Sequence, residues 1–106
     1  MNYIVWLVFA AAALLEVGGD AVIRRGMRSR SVLWLLLGSA TLAIYGMFVN
    51  SIKWDFSKLL GVYVAFFATA SILIGQLIFR EQIPNSTWCG LALIILGGLV
   101  IQFGHN

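Results

Sequence analysis

Glu16 is the side chain in this sequence best suited to chemistry, because it lies within a stretch, residues 3–23, that is otherwise almost wholly apolar. As a helix, these 21 residues would be roughly 31 Å long at about 1.5 Å per residue, enough to cross the hydrocarbon core of a membrane. An ionised side chain at that depth costs on the order of 2.5–3.5 kcal/mol to insert. A carboxylate kept there usually binds a cation or a proton, the alternative being neutralisation by a neighbour for packing alone.

Small residues surround Glu16 on one side of the predicted helix, namely Ala12, Ala13 and Gly19. Such residues either let another helix approach closely or leave a cavity. Burial of this kind disfavours the charged carboxylate, so the acid can exchange a proton for an organic cation. Asp20 lies about one turn later, and Arg24 follows it at the i+4 position. We therefore interpret Asp20 as one half of an interfacial ion pair rather than as a second transport acid.

The composition predicts that the whole chain is an integral membrane protein. Of its 106 residues, 61% are hydrophobic and only 10% are charged, which is more apolar surface than a soluble domain of this length can bury. Backbone groups in lipid must be satisfied within their own segment, so each apolar run should be a helix. We predict one all-α domain, residues 1–106, with short loops and four transmembrane helices over about 3–23, 31–49, 59–79 and 87–103. Ser86 is expected to cap the fourth helix.

The charged residues predict contact with membrane lipid rather than nucleic acid. The loops after the first and third spans carry five arginines, whereas the opposite side carries Lys53 and Lys58. This bias favours cytoplasmic arginine loops and headgroup contacts. The single Cys89 and single His105 indicate neither an intrachain disulfide nor a metal site. No nucleophile–base pair or phosphate-binding loop is recognisable, so we expect no enzyme activity and no cofactor.

Two later groups of residues are candidates for binding and assembly. Tyr63, with Phe66 and Phe67, can donate a hydrogen bond and offer an aromatic face to a cation, although aromatic residues in membrane helices mostly serve packing. Gly90 and Gly97 recur about two turns apart and form a strip for close helix contact, either with another copy or with other spans of the same chain. Four short spans enclose little space, so we expect self-association.

Over essentially its whole length the sequence resembles the small multidrug resistance transporters of the drug/metabolite transporter superfamily. The most specific features are the run from Leu15 to Gly19, a basic residue shortly after it, and the spacing of Gly90, Leu91, Leu93, Ile94 and Gly97. The resemblance implies an antiparallel homodimer in the bacterial inner membrane, in which Glu16 binds protons and cations competitively. It also implies that Tyr63 lies near the binding-site aromatic, which is commonly Trp in that family, and that Gly90 and Gly97 form the dimer seam.

The leading hypothesis is therefore a proton-coupled antiporter that exports small or aromatic organic cations, drug-like or guanidinium-like. The altered third span favours an alternative cargo from the same superfamily, such as a lipid-linked sugar or another metabolite. The run from Gly61 to Val64 also resembles a related branch of poorly characterised small inner-membrane proteins. A third hypothesis is a non-transporting subunit of a larger membrane complex, or a chain paired with a homologous one, because a fixed orientation is awkward for an antiparallel homodimer.

Overall fold

The protein is all-α. Its structure, a computed structural model, describes residues 3–104, and within them short loops join the helices α1 (Tyr3–Ser29), α2 (Val32–Val49), α3 (Phe56–Leu77) and α4 (Asn85–Phe103). Each of the four is long and apolar enough to cross a membrane. Many more of the large apolar side chains are exposed than buried, as expected where lipid is the solvent. The predicted fold class is confirmed, and His105 lies outside the described residues.

The chain divides into two compact units, the first ending at Lys53 and the second beginning at Trp54. Each unit is a helical hairpin, formed by α1 with α2 in the first and by α3 with α4 in the second. In the first, α2 runs back along α1, so that Gly26 meets the start of α2 and Gly19 meets its middle. In the second, Gly61 near the start of α3 meets Ile101 near the end of α4.

Helix α1 continues six residues beyond the apolar stretch that ends at Ile23. Arginine and methionine favour helix, so the passage from lipid to headgroups does not by itself end the helix. It ends where Arg30 adopts a left-handed conformation with φ 53° and the amide of Ser31 donates to the Gly26 carbonyl at 2.9 Å. This is a Schellman turn. The Ser31 hydroxyl then accepts from the amide of Trp34 at 3.3 Å and caps α2.

Helix α4 begins two residues earlier than a cap at Ser86 requires, so that prediction was wrong. The N-cap is Pro84, with extended backbone at φ −69° and ψ 158°, and its carbonyl accepts from the amide of Thr87 at 3.0 Å. Pro84 already has the extended backbone that an N-cap residue needs. Ser86 consequently lies inside the first turn, where its hydroxyl cannot replace that cap.

Candidate functional site

Glu16 lies on the face of α1 that turns towards α2. It is half-buried, and its neighbours Ala12, Ala13 and Gly19 are buried. Asp20, one turn further along, is exposed. The two acids of α1 therefore have different surroundings, and the small residues are grouped around Glu16.

Gly19 is one of the points where α1 and α2 approach each other closely. A Cβ atom added there would lie 2.8 Å from Leu42 Cδ2 and 3.2 Å from the carbonyl oxygen of Gly38. Conversely, a Cβ added at Gly38 would lie 3.0 Å from the carbonyl oxygen of Gly19 and 2.5 Å from Ile23 Cγ1. The sequence left open whether the small residues admit a helix or leave a cavity, and at Gly19 they admit α2.

These contacts fix the register of the hairpin. One turn before Gly19 on α1 comes Glu16, and one turn after Leu42 on α2 comes Tyr45. Neighbouring helices packed in this way keep their pairing at successive three- and four-residue steps, so Tyr45 lies opposite Glu16. Both side chains are half-buried. The nearby Thr41 hydroxyl is already used, because it donates to the carbonyl of Leu37 at 2.8 Å.

Tyr45 is therefore a candidate site residue that sequence reasoning missed. The signal that could have found it is the distance from the turn between the two helices. Glu16 lies 14 residues before Arg30, and Tyr45 lies 14 residues after Ser31. In an antiparallel helical hairpin with a tight turn, residues equally far from the turn lie at the same level, and they face each other where both lie on the contacting sides of the helices.

Tyr63, Phe66 and Phe67 all belong to α3, in the second unit. Tyr63 is buried at 3% exposure, and the two phenylalanines are half-buried. Spacings of three and four residues put the three rings on one face of α3. Their role in cation binding stays a prediction.

The glycines of α4 differ in what surrounds them within the chain. A Cβ added at Gly98 would lie 3.4 Å from the Cβ of Ala65, so Gly98 serves the packing of α4 against α3. Among the described residues, a Cβ at Gly90 or Gly97 would meet no atom within 4 Å. These two positions are thus not used in packing α4 against α3, while the dimer seam itself stays a prediction.

Comparison with known proteins identifies the group to which the chain is related. The family model described as "Uncharacterised BCR, YnfA/UPF0060 family" matches residues 3–106. The chain belongs to the YnfA/UPF0060 family. The family match spans both hairpins, including the faces that carry Glu16 and Tyr63. No solved structure matches the chain.

Relatives of this YnfA/UPF0060 chain come from several bacteria. A UPF0060 membrane protein of Frankia casuarinae is 33% identical over 103 residues, covering 94% of this chain and 93% of its own. One from Rhodococcus jostii is 31% identical, covering 91% and 90% respectively, and one from Synechocystis is 27% identical, covering 94% of both chains. All three are named membrane proteins, which agrees with the four apolar helices described above.

Proposed function

We propose that the protein is a proton-coupled antiporter that exports small or aromatic organic cations across the bacterial inner membrane. The observation that carries this proposal is the position of Glu16. It is a carboxylate on an apolar membrane helix, half-buried among small residues and turned towards the neighbouring helix. An acid in such surroundings is costly to ionise unless a cation or a donor accompanies it, so protons and cations compete for it.

Competition for the carboxylates couples the two fluxes. In a dimer with two copies of Glu16, two protons leave when one monovalent cation binds and two return when it is released, so each cycle moves net charge. If the loaded site can face either side of the membrane but the empty charged site cannot, the proton gradient drives cation export. The Tyr45 hydroxyl supplies a hydrogen-bond donor opposite the carboxylate, and it can bond to one carboxylate oxygen while the cation binds the other.

The assembly that we propose is an antiparallel homodimer, as the resemblance to small multidrug resistance transporters implies. Two copies of Glu16 would then face a shared chamber, with Tyr63, Phe66 and Phe67 supplying aromatic faces for the cation. The openness of Gly90 and Gly97 supports α4 as the contact, since membrane helices associate through close packing of small residues. Rocking of the two copies about this contact would provide alternating access.

Solid-supported-membrane electrophysiology on the reconstituted protein tests the proposal. Vesicles are exposed to rapid pulses of guanidinium, of a quaternary aromatic ammonium ion and of neutral metabolites. Transient currents with the cations, reversed in sign when the proton gradient is reversed, are expected. Absence of current with every cation, in protein shown by circular dichroism to be helical, would refute it.

The distribution of positive charge favours a second candidate, a chain of fixed orientation that pairs with a homologous or larger membrane partner. Three arginines lie in the last turns of α1, and one follows each of α1 and α3, against two lysines on the other side. An orientation set by such a bias would require another chain to supply the inverted copy. Topology reporters fused to each terminus separate the two candidates, because a dual-topology homodimer gives signal on both sides of the membrane.

A further inference from the structure

The end of α1 projects out of the hydrocarbon layer. The helix has 27 residues, and at about 1.5 Å per residue it is roughly 40 Å long, against a hydrocarbon core of about 30 Å. The apolar stretch ends at Ile23, so the last six residues extend roughly 9 Å further. This is about the depth of the headgroup layer on one side of a bilayer.

The projecting segment and the turn after it carry four arginines, Arg24, Arg25, Arg28 and Arg30, which we call the arginine collar. All four are exposed. At about 100° per residue, the three helical members fall within an arc of roughly 100° and share one face. Asp20 lies one turn before Arg24, and the sequence contains no further acidic residue before Asp55, so the collar as a whole carries net positive charge.

Trp34 fixes one member of the collar at the membrane interface. The guanidinium of Arg25 lies over the Trp34 ring, 5.5 Å from its centroid. Tryptophan prefers the headgroup level of a bilayer, and the Schellman turn holds the start of α2 against this end of α1. The guanidinium is therefore presented at the depth of the lipid phosphates, with part of its conformational freedom already lost.

We propose that the arginine collar binds the phosphate headgroups of anionic phospholipids in the adjacent leaflet. Arginine presents planar, paired donors that match phosphate oxygens, and several basic residues beside a membrane helix attract anionic lipid. The chain supplies positive charge at the right depth, on one face and next to an interfacial aromatic ring. This proposal does not depend on the transport function.

Native mass spectrometry of the full-length protein in detergent tests the proposal. Phosphatidylglycerol and phosphatidylcholine are titrated into the native protein, into the Arg25→Gln/Arg28→Gln variant and into Lys53→Gln/Lys58→Gln. The last variant loses the same charge from the opposite side and serves as the matched control. The collar variant should bind phosphatidylglycerol roughly 30-fold more weakly, and the lysine variant should bind it nearly as well as the native protein.

Equal loss in the two variants, or equal binding of phosphatidylcholine by the native protein, would overturn the proposal. Inorganic phosphate is added in a separate arm, and displacement of the lipid at equal concentration would show a free-anion site instead. If the collar variant is not helical by circular dichroism, the native protein alone still tests the proposal. Its binding of phosphatidylglycerol should fall steeply as salt rises, and binding independent of salt would contradict a headgroup site.

Discussion

Adding one methyl group at Gly38 tests the close crossing of α1 and α2 that positions Glu16. In Gly38→Ala the new Cβ would lie 2.5 Å from Ile23 Cγ1 and 3.0 Å from both the Ile23 amide nitrogen and the Gly19 carbonyl oxygen. A side-chain atom can turn away, but the two backbone atoms can move only if the helices separate. Gly46→Ala is the matched control, because it is the same change on the same helix and its Cβ would meet nothing within 4 Å.

The two substitutions should have different effects on the free energy of unfolding. Replacing glycine by alanine inside a helix stabilises by about 1 kcal/mol, and this gain applies to both variants. Overpacking at Gly38 costs about 1–3 kcal/mol. We therefore expect Gly46→Ala to be about 1 kcal/mol more stable than the native protein, and Gly38→Ala to lie about 1–3 kcal/mol below Gly46→Ala.

Reversible unfolding in mixed detergent micelles, followed by helical circular dichroism, provides the measurement. Because the propensity gain cancels in the difference between the two variants, that difference reports the packing of α2 against α1. Equal stabilisation by both substitutions would refute the close crossing. It would also remove the basis for the register that puts Tyr45 opposite Glu16.

Three further predictions follow from other parts of the chain. Arg80 has φ 55°, a conformation that costs a side-chain-bearing residue about 1–2 kcal/mol. Arg80→Gly should therefore raise the free energy of unfolding by about 1 kcal/mol in the same assay, and a free energy below that of the native protein would contradict this turn. Tyr45→Phe should weaken the apparent cation affinity in transport currents roughly tenfold or more, because it removes a hydrogen bond to a charged group. Thr41→Val should have little effect on this affinity, and equal effects of the two substitutions would contradict the register. Gly97→Val should convert the dimer to a monomer in light scattering while helicity is retained. Ala92→Val, which also enlarges a side chain at an exposed position of α4, should leave the dimer intact, and a dimer unchanged by Gly97→Val would place the contact elsewhere.

The membrane fold was predictable because apolar runs separated by charges and turn formers allow few other structures. The ends of the helices were harder to predict from the sequence. The change from apolar to charged residues at Ile23 marks the edge of the lipid, but arginines continue a helix readily, and α1 runs on to Ser29. At α4 the sequence predicted a cap at Ser86, but Pro84 has the extended backbone of an N-cap residue and the helix begins after it.

The site was predictable in part. Glu16 is recognisable alone, because a carboxylate in an apolar span has few structural uses. The residue opposite it on α2 is not recognisable from the sequence alone. Tyr45 is one aromatic residue in an apolar helix, and it becomes a candidate only through the register set by Gly19 and Gly38. Small residues in a sequence also do not reveal what fills the space beside them. Gly19 packs against α2, whereas a Cβ at Gly97 would meet no atom of the described part of α3 within 4 Å.

The most direct test of the central claim is the current evoked by guanidinium in vesicles that contain Glu16→Gln, measured beside the native protein and Asp20→Asn. The amide keeps the size and polarity of the side chain but cannot exchange a proton, so no proton-coupled current should remain, while circular dichroism and yield stay near those of the native protein. Asp20 is exposed, and Asp20→Asn should retain most of the current. Proton-coupled current in Glu16→Gln comparable to that of the native protein would contradict the role assigned to Glu16.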